Sequence, residues 1–80
     1  MKVYIATVFT HFAAISLSKK LDKNGIKNKM MPVPRKVSSS CGSCVRFEAE
    51  SLPEFCKTDD VDKIFYEDGA EYILEYISRE

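Results

Sequence analysis

Residues 2–9 (KVYIATVF) are apolar on both alternating faces and rich in Val, Ile, Tyr and Phe. That pattern predicts a central β-strand. The pattern then changes period. Ala14, Leu17 and Leu21 recur at helical spacing, with Ala13 and Ser18 beside them. This predicts a helix over 11–23 with Thr10 as its N-cap. Lys19, Lys20 and Lys23 fall in its last turns, where they oppose the negative end of the helix dipole. Asn24-Gly25 follows, and Gly25 suits the left-handed position that closes a helix.

Residues 26–33 (IKNKMMPV) read as a second strand, which Pro32 and Pro34 confine to a sheet edge or terminate. Residues 35–43 (RKVSSSCGS) carry no period and read as a loop. Residues 44–49 (CVRFEA) alternate, with Val45 and Phe47 on one face and Arg46 and Glu48 on the other, as a half-buried strand does. Ser51-Leu52-Pro53-Glu54 has the spacing of a capping box with an early proline and predicts a short helix over 52–57. A strand over 61–67 follows. Asp68-Gly69 is a hairpin signal. Beyond it, Ala70, Ile73, Leu74 and Ile77 lie at helical spacing, while Tyr72, Ile73, Tyr76 and Ile77 favour a strand. The order predicts an α+β fold: a ferredoxin-like two-layer βαββαβ sandwich with an extra C-terminal strand or helix, as a single domain over 1–80.

Composition narrows the function classes. The 80 residues are 45% hydrophobic and 30% charged, which is the make-up of a globular domain. A core this small leaves little room for an enclosed active site. A reactive group on a loop, or a site shared with a partner, is expected instead. No apolar run approaches the ~20 residues of a membrane-spanning helix. The stretch Met1–Val8 does not read as a signal peptide. An odd count of three cysteines, two of them close together, is a poor disulfide framework and points to a reducing cytoplasm. Twelve basic and twelve acidic side chains cancel, yet residues 1–46 hold nine bases against one acid and residues 47–80 three bases against eleven acids. Because a single small sheet mixes its halves, these charges are expected to interleave on one surface. The bases are not interleaved with stacking aromatics, so nucleic acid is not an expected partner.

The candidate chemistry centres on Cys41 in Ser38-Ser39-Ser40-Cys41-Gly42. A cysteine acts as a thiolate, and its pKa falls where cations or oriented N–H groups face it. Lys36 and Arg46 lie close in sequence, and Gly42 would let the backbone turn its N–H groups towards sulfur. An incidental thiol in a turn accounts for the spacing equally well. Cys44 completes a CxxC pair with three readings. A thioredoxin-type dithiol should start a helix, whereas a strand follows here. A zinc site needs two further ligands, and only Cys56 and His11 remain, unless a homodimer pools two pairs. The third reading makes Cys44 an accessory thiol, or merely a small strand residue. Cys56 reads as a buried structural thiol and His11 as surface polar. No metal and no cofactor are expected.

The stretch Pro32-Val33-Pro34-Arg35 … Ser38-Ser39-Ser40-Cys41-Gly42 … Arg46-Phe47 resembles the small selenium/sulfur carrier-like proteins, over about residues 2–50. By motif match the family cysteine is Cys41, flanked by Gly42, with Pro32, Pro34, Arg35, Arg46 and Phe47 at the surrounding motif positions. Cys44 departs from the pattern, standing where such proteins carry an apolar or small residue. The resemblance implies a bacterial or archaeal cytoplasmic protein working beside cysteine desulfurases and sulfurtransferases. In that reading it is a carrier rather than a complete enzyme. It holds a persulfide or selenosulfide on Cys41, with Arg35, Lys36, Ser40, Gly42 and Arg46 steadying the anion and Cys44 as a resolving thiol. The alternatives are a CxxC redox or metal-binding module and a non-catalytic interaction domain.

Overall fold

A computed structural model describes residues 1–37 and 42–78. The elements run β1 (Lys2–Val8), α1 (His11–Lys23), β2 (Asn28–Pro32), β3 (Ser43–Ala49), a 3-10 turn (Glu54–Cys56), β4 (Val61–Asp68) and β5 (Glu71–Ile77). The strands form one antiparallel sheet in the order β2-β3-β1-β4-β5. The architecture is thus α+β, with one helix against five strands rather than the two-helix βαββαβ sandwich expected. Residues 71–77 extend the sheet as β5 and are not helical.

The helix is set by its ends. Thr10 Oγ1 accepts from the Ala13 N–H at 3.0 Å, which satisfies one of the free donors of the first turn. At the other end Gly25 is left-handed (φ 72°). The Ile26 N–H donates to Leu21 O (2.9 Å) and the Gly25 N–H to Asp22 O (3.0 Å), the paired closure of a Schellman end. Ile26 therefore finishes the helix, and β2 begins at Asn28. The Asn28 amide donates to Asp22 Oδ1 (2.7 Å) and Ile26 O (3.0 Å), while its oxygen accepts from Ser18 Oγ. Replacing Thr10 with Ala is expected to cost about 1 kcal/mol, read as a shift in urea midpoint with an unchanged slope.

The helix covers one sheet face. Ala13, Ala14, Leu17 and Leu21 pack on Tyr4, Ala6, Val8, Val45, Phe47, Ala49 and Ile64. Cross-strand register brings Phe47, Tyr4 and Tyr66 into a row. Tyr4 stacks on Phe47 at 5.4 Å between centroids and meets Tyr66 edge-on at 6.5 Å. The Lys2 ammonium closes the row, 4.7 Å above the Tyr66 ring.

The opposite face is also buried. Ile5, Thr7 and Cys44 are wholly enclosed, and Phe65 nearly so. Residues 34–36 run over this face, where they share a cavity with Glu67 and Tyr72. Val37, the one apolar residue in a polar run, is buried, and the Lys36 ammonium donates to Ala70 O in the β4–β5 turn (3.1 Å). Thr7 sits where β4 carries one extra residue in its pairing with β1. Its hydroxyl accepts from the Lys63 N–H (3.1 Å) and donates to Lys63 O (3.3 Å), replacing ladder bonds that the bulge displaces.

Charges of the two halves interleave at Arg46–Glu67 and around Arg35 and Lys36, while the lysines of α1 and β2 stand apart. The exposed Lys19, Lys20, Lys23, Lys27 and Lys29 lie on α1, β2 and their connection, and α1 packs over β1, β2 and β3. The acids of β4 and β5 lie towards the other edge of the sheet. Each edge is defended against strand addition. Pro32 ends the short β2, and a bulge at Glu75 interrupts β5. Among the described residues, no helix is long and apolar enough to cross a membrane.

Candidate functional site

Ser40 and Cys41 lie outside the described residues. The structure fixes their flanks. On one side Val37 is buried, and its N–H donates to Pro34 O at 3.1 Å. On the other side Ser43 pairs with both Pro32 and Val8, and Gly42 is exposed. Among the described residues, a Cβ on Gly42 would meet nothing within 4 Å.

Cys44 points to the face over which residues 34–36 run, in register with Thr7 and Met31. It is fully enclosed, with Sγ 3.7 Å from Pro32 O. Burial pushes its thiol up to about 11. The period-2 alternation of β3 dictates this: with Val45 and Phe47 towards the helix, Cys44 and Arg46 must face the other way. The sequence signal for the cover over that face was Val37 together with the apolar Ile5 and Phe65. Cys56 is enclosed in the helix-side core, and burial pushes its thiol up to about 12, slightly eased by the nearby Lys20.

The basic residues Arg46, Arg35 and Lys36 share one neighbour, Glu67. Arg46 is half-exposed on the face opposite the helix, its Nε 3.6 Å from Glu67 Oε2. Arg35 and Lys36 line a cavity of about 290 Å³ with Pro34, Glu67, Gly69, Ala70 and Tyr72. That cavity lies by the β4–β5 turn. Gly42 and Ser43 enter the sheet beside Val8 and Pro32, and Pro32 lies three residues before Arg35. Phe47 is a core residue, not a surface contact. Pro32 is the last residue of β2 and lends its carbonyl to Cys44.

The expected capping box at Ser51 is not formed: Pro53 stands at the N-cap of the short turn and makes no side-chain cap bond. His11 is exposed on the first turn of α1. Among the described residues, no three His, Cys, Asp or Glu side chains converge as metal ligands would.

A family model described as "Putative Se/S carrier protein-like" matches residues 3–68. The match runs from β1 to the end of β4 and spans the Cys41 loop, leaving β5 beyond it. No curated protein and no solved structure matches the chain.

Proposed function

The chain belongs to the Se/S carrier-like family, and on that premise we propose that it carries single sulfur or selenium atoms on Cys41 between partner enzymes. One observation carries the choice of residue. The other two thiols, Cys44 and Cys56, are enclosed and held at about 11 and about 12, so at neutral pH both stay protonated and out of reach of a macromolecular donor. Cys41 is left, in a polar stretch between Val37 and Gly42. The same burial weighs against a Cys41–Cys44 redox couple, and against Cys44 as a resolving thiol.

The Cys41 thiolate attacks the outer sulfur of a donor persulfide. A bond forms between Cys41 Sγ and that sulfur, the donor's S–S bond breaks, and its electron pair leaves on the donor thiolate. Sulfur passes across without net oxidation. An acceptor thiolate repeats the step at the sulfur now held on Cys41, and a terminal selenium travels by the same exchange. No general acid or base is required. In this reading the donor is a cysteine desulfurase or a sulfurtransferase-like protein in a reducing cytoplasm.

Intact-mass measurement after incubation with a cysteine desulfurase and cysteine tests the proposal. Wild type, Cys44→Ala and Cys56→Ala should each gain one sulfur, and Cys41→Ser none. Equal loading of Cys41→Ser, or no loading of wild type, would remove Cys41 as the carrier.

A further inference from the structure

The cavity between residues 34–36 and the β4–β5 hairpin holds an imbalance of charge. Arg35 makes no hydrogen bond or ion pair among the described residues. Lys36 has only a neutral carbonyl, Ala70 O. Glu67, the one carboxylate in the lining, is already engaged by Arg46. Asp68 and Glu71 are close in sequence but belong to the other face of the sheet. Register pairs them with each other, whereas Glu67 pairs with Tyr72 on the cavity side. Arg35, Lys36 and Tyr72 thus line a space in which, among the described residues, no carboxylate is uncommitted. Arginine presents a planar fork of donors suited to oxyanions, and lysine adds a point charge.

We propose that this cavity binds a small free dianionic oxyanion of phosphate or sulfate size between Arg35, Lys36 and Tyr72. The volume of about 290 Å³ holds one tetrahedral oxyanion with water and is below the range of pockets that enclose larger ligands. Two cations in the lining match a dianion. Bound there, the anion would tie segment 34–36 to the hairpin, and with it Val37, which precedes the stretch that holds Cys41. The residues named are all described ones, and occupancy of the site is read without any loading of sulfur.

The test is a titration of the reduced, isotopically labelled protein with inorganic phosphate at constant ionic strength, followed by amide chemical shifts. Saturable shifts are expected at Arg35, Lys36, Gly69, Ala70 and Tyr72, with sodium chloride alone giving none. Arg35→Gln should weaken the apparent affinity at least tenfold. Glu67→Gln removes the only lining carboxylate and should tighten it severalfold, a gain that a folding defect would not produce. Shifts that follow chloride, shifts centred on the lysines of α1, or affinities unchanged in both variants would overturn the site.

Discussion

Phe47→Ala is expected to destabilise the protein by about 3–5 kcal/mol, the range for truncating a buried aromatic. Phe47 is almost fully buried and stacks on Tyr4, the largest enclosed side chain, at 5.4 Å. Little around it can move in to fill the gap. Ala6, Ala13, Ala14 and Ala49 make up much of the helix-side core, and alanine has no side chain with which to reach. A domain of this size has roughly 4–12 kcal/mol in total, so the variant should sit at the margin of folding. Its thermal midpoint should fall by well over about 10 °C. Arg46→Ala, one residue away, should cost at most about 1 kcal/mol, because its ion pair with Glu67 is partly exposed. Phe12→Ala should change little, since that ring is 78% exposed. Thermal and urea unfolding of the three variants would check the ranking. A loss below about 1 kcal/mol for Phe47→Ala would mean the ring is not held in the core.

That contrast shows what was legible in the sequence. The Arg46-Phe47 pair was seen first as a motif, and strand alternation already assigned the two side chains to opposite faces. β1, α1, β3 and β4 were readable because each carries a full period of apolar positions. Thr10 and Gly25 acted as the caps their chemistry implies, and Asp68-Gly69 turned a hairpin, with Gly69 left-handed at φ 65°. The predicted helix over 52–57 shrank to three residues for a physical reason. After Cys56 the run Lys57-Thr58-Asp59-Asp60 supplies no apolar residue at the next turn. Burying Cys56 therefore takes a single tight turn and not an amphipathic helix.

The expectation of one covered sheet face failed on evidence that β1 already contained. Tyr4, Ala6 and Val8 face the helix, but Ile5 and Thr7 on the reverse are just as deeply buried. A strand apolar on both sides calls for a second cover. Here the cover includes an irregular segment with a single apolar anchor, Val37, which local periodicity does not register. Arg35 and Lys36 meet the β4–β5 hairpin, a neighbour that strand order reveals and local sequence does not. The charge asymmetry of the two halves was plain in the sequence. The lysines of α1 and β2 and the acids of β5 part because β2 and β5 lie at the two ends of the sheet, whereas Arg35, Lys36 and Arg46 meet the acidic side at Glu67.

Alkaline pH should act mainly on the two enclosed thiols. Their ordinary value is 9.0, and burial raises Cys44 to about 11 and Cys56 to about 12. Between those limits the unfolded chain gives up protons that the folded chain retains. The unfolded state then binds fewer protons, so stability falls as pH rises. The contribution is fully present below about pH 9 and is lost as pH climbs through the folded values. The gap is worth ~3 kcal/mol for Cys44 and ~4 kcal/mol for Cys56, together comparable to the whole stability of a small domain. Stability is therefore expected to fall steadily from about pH 9 through the folded values of about 11 and 12. Lysines and tyrosines titrate in the same range, so the decisive measurement is the difference between chains. Urea stability against pH should fall steeply in wild type and less steeply in Cys44→Ala and Cys56→Ala, each variant losing its own share of the slope. Slopes equal to wild type in both variants would show that these thiols are not sealed in the fold. The same energies bear on the proposed carrier chemistry. What keeps a proton on Cys44 and Cys56 also keeps a donated sulfur off them. The selectivity for Cys41 should then survive to the pH at which the fold itself gives way, and disappear with it.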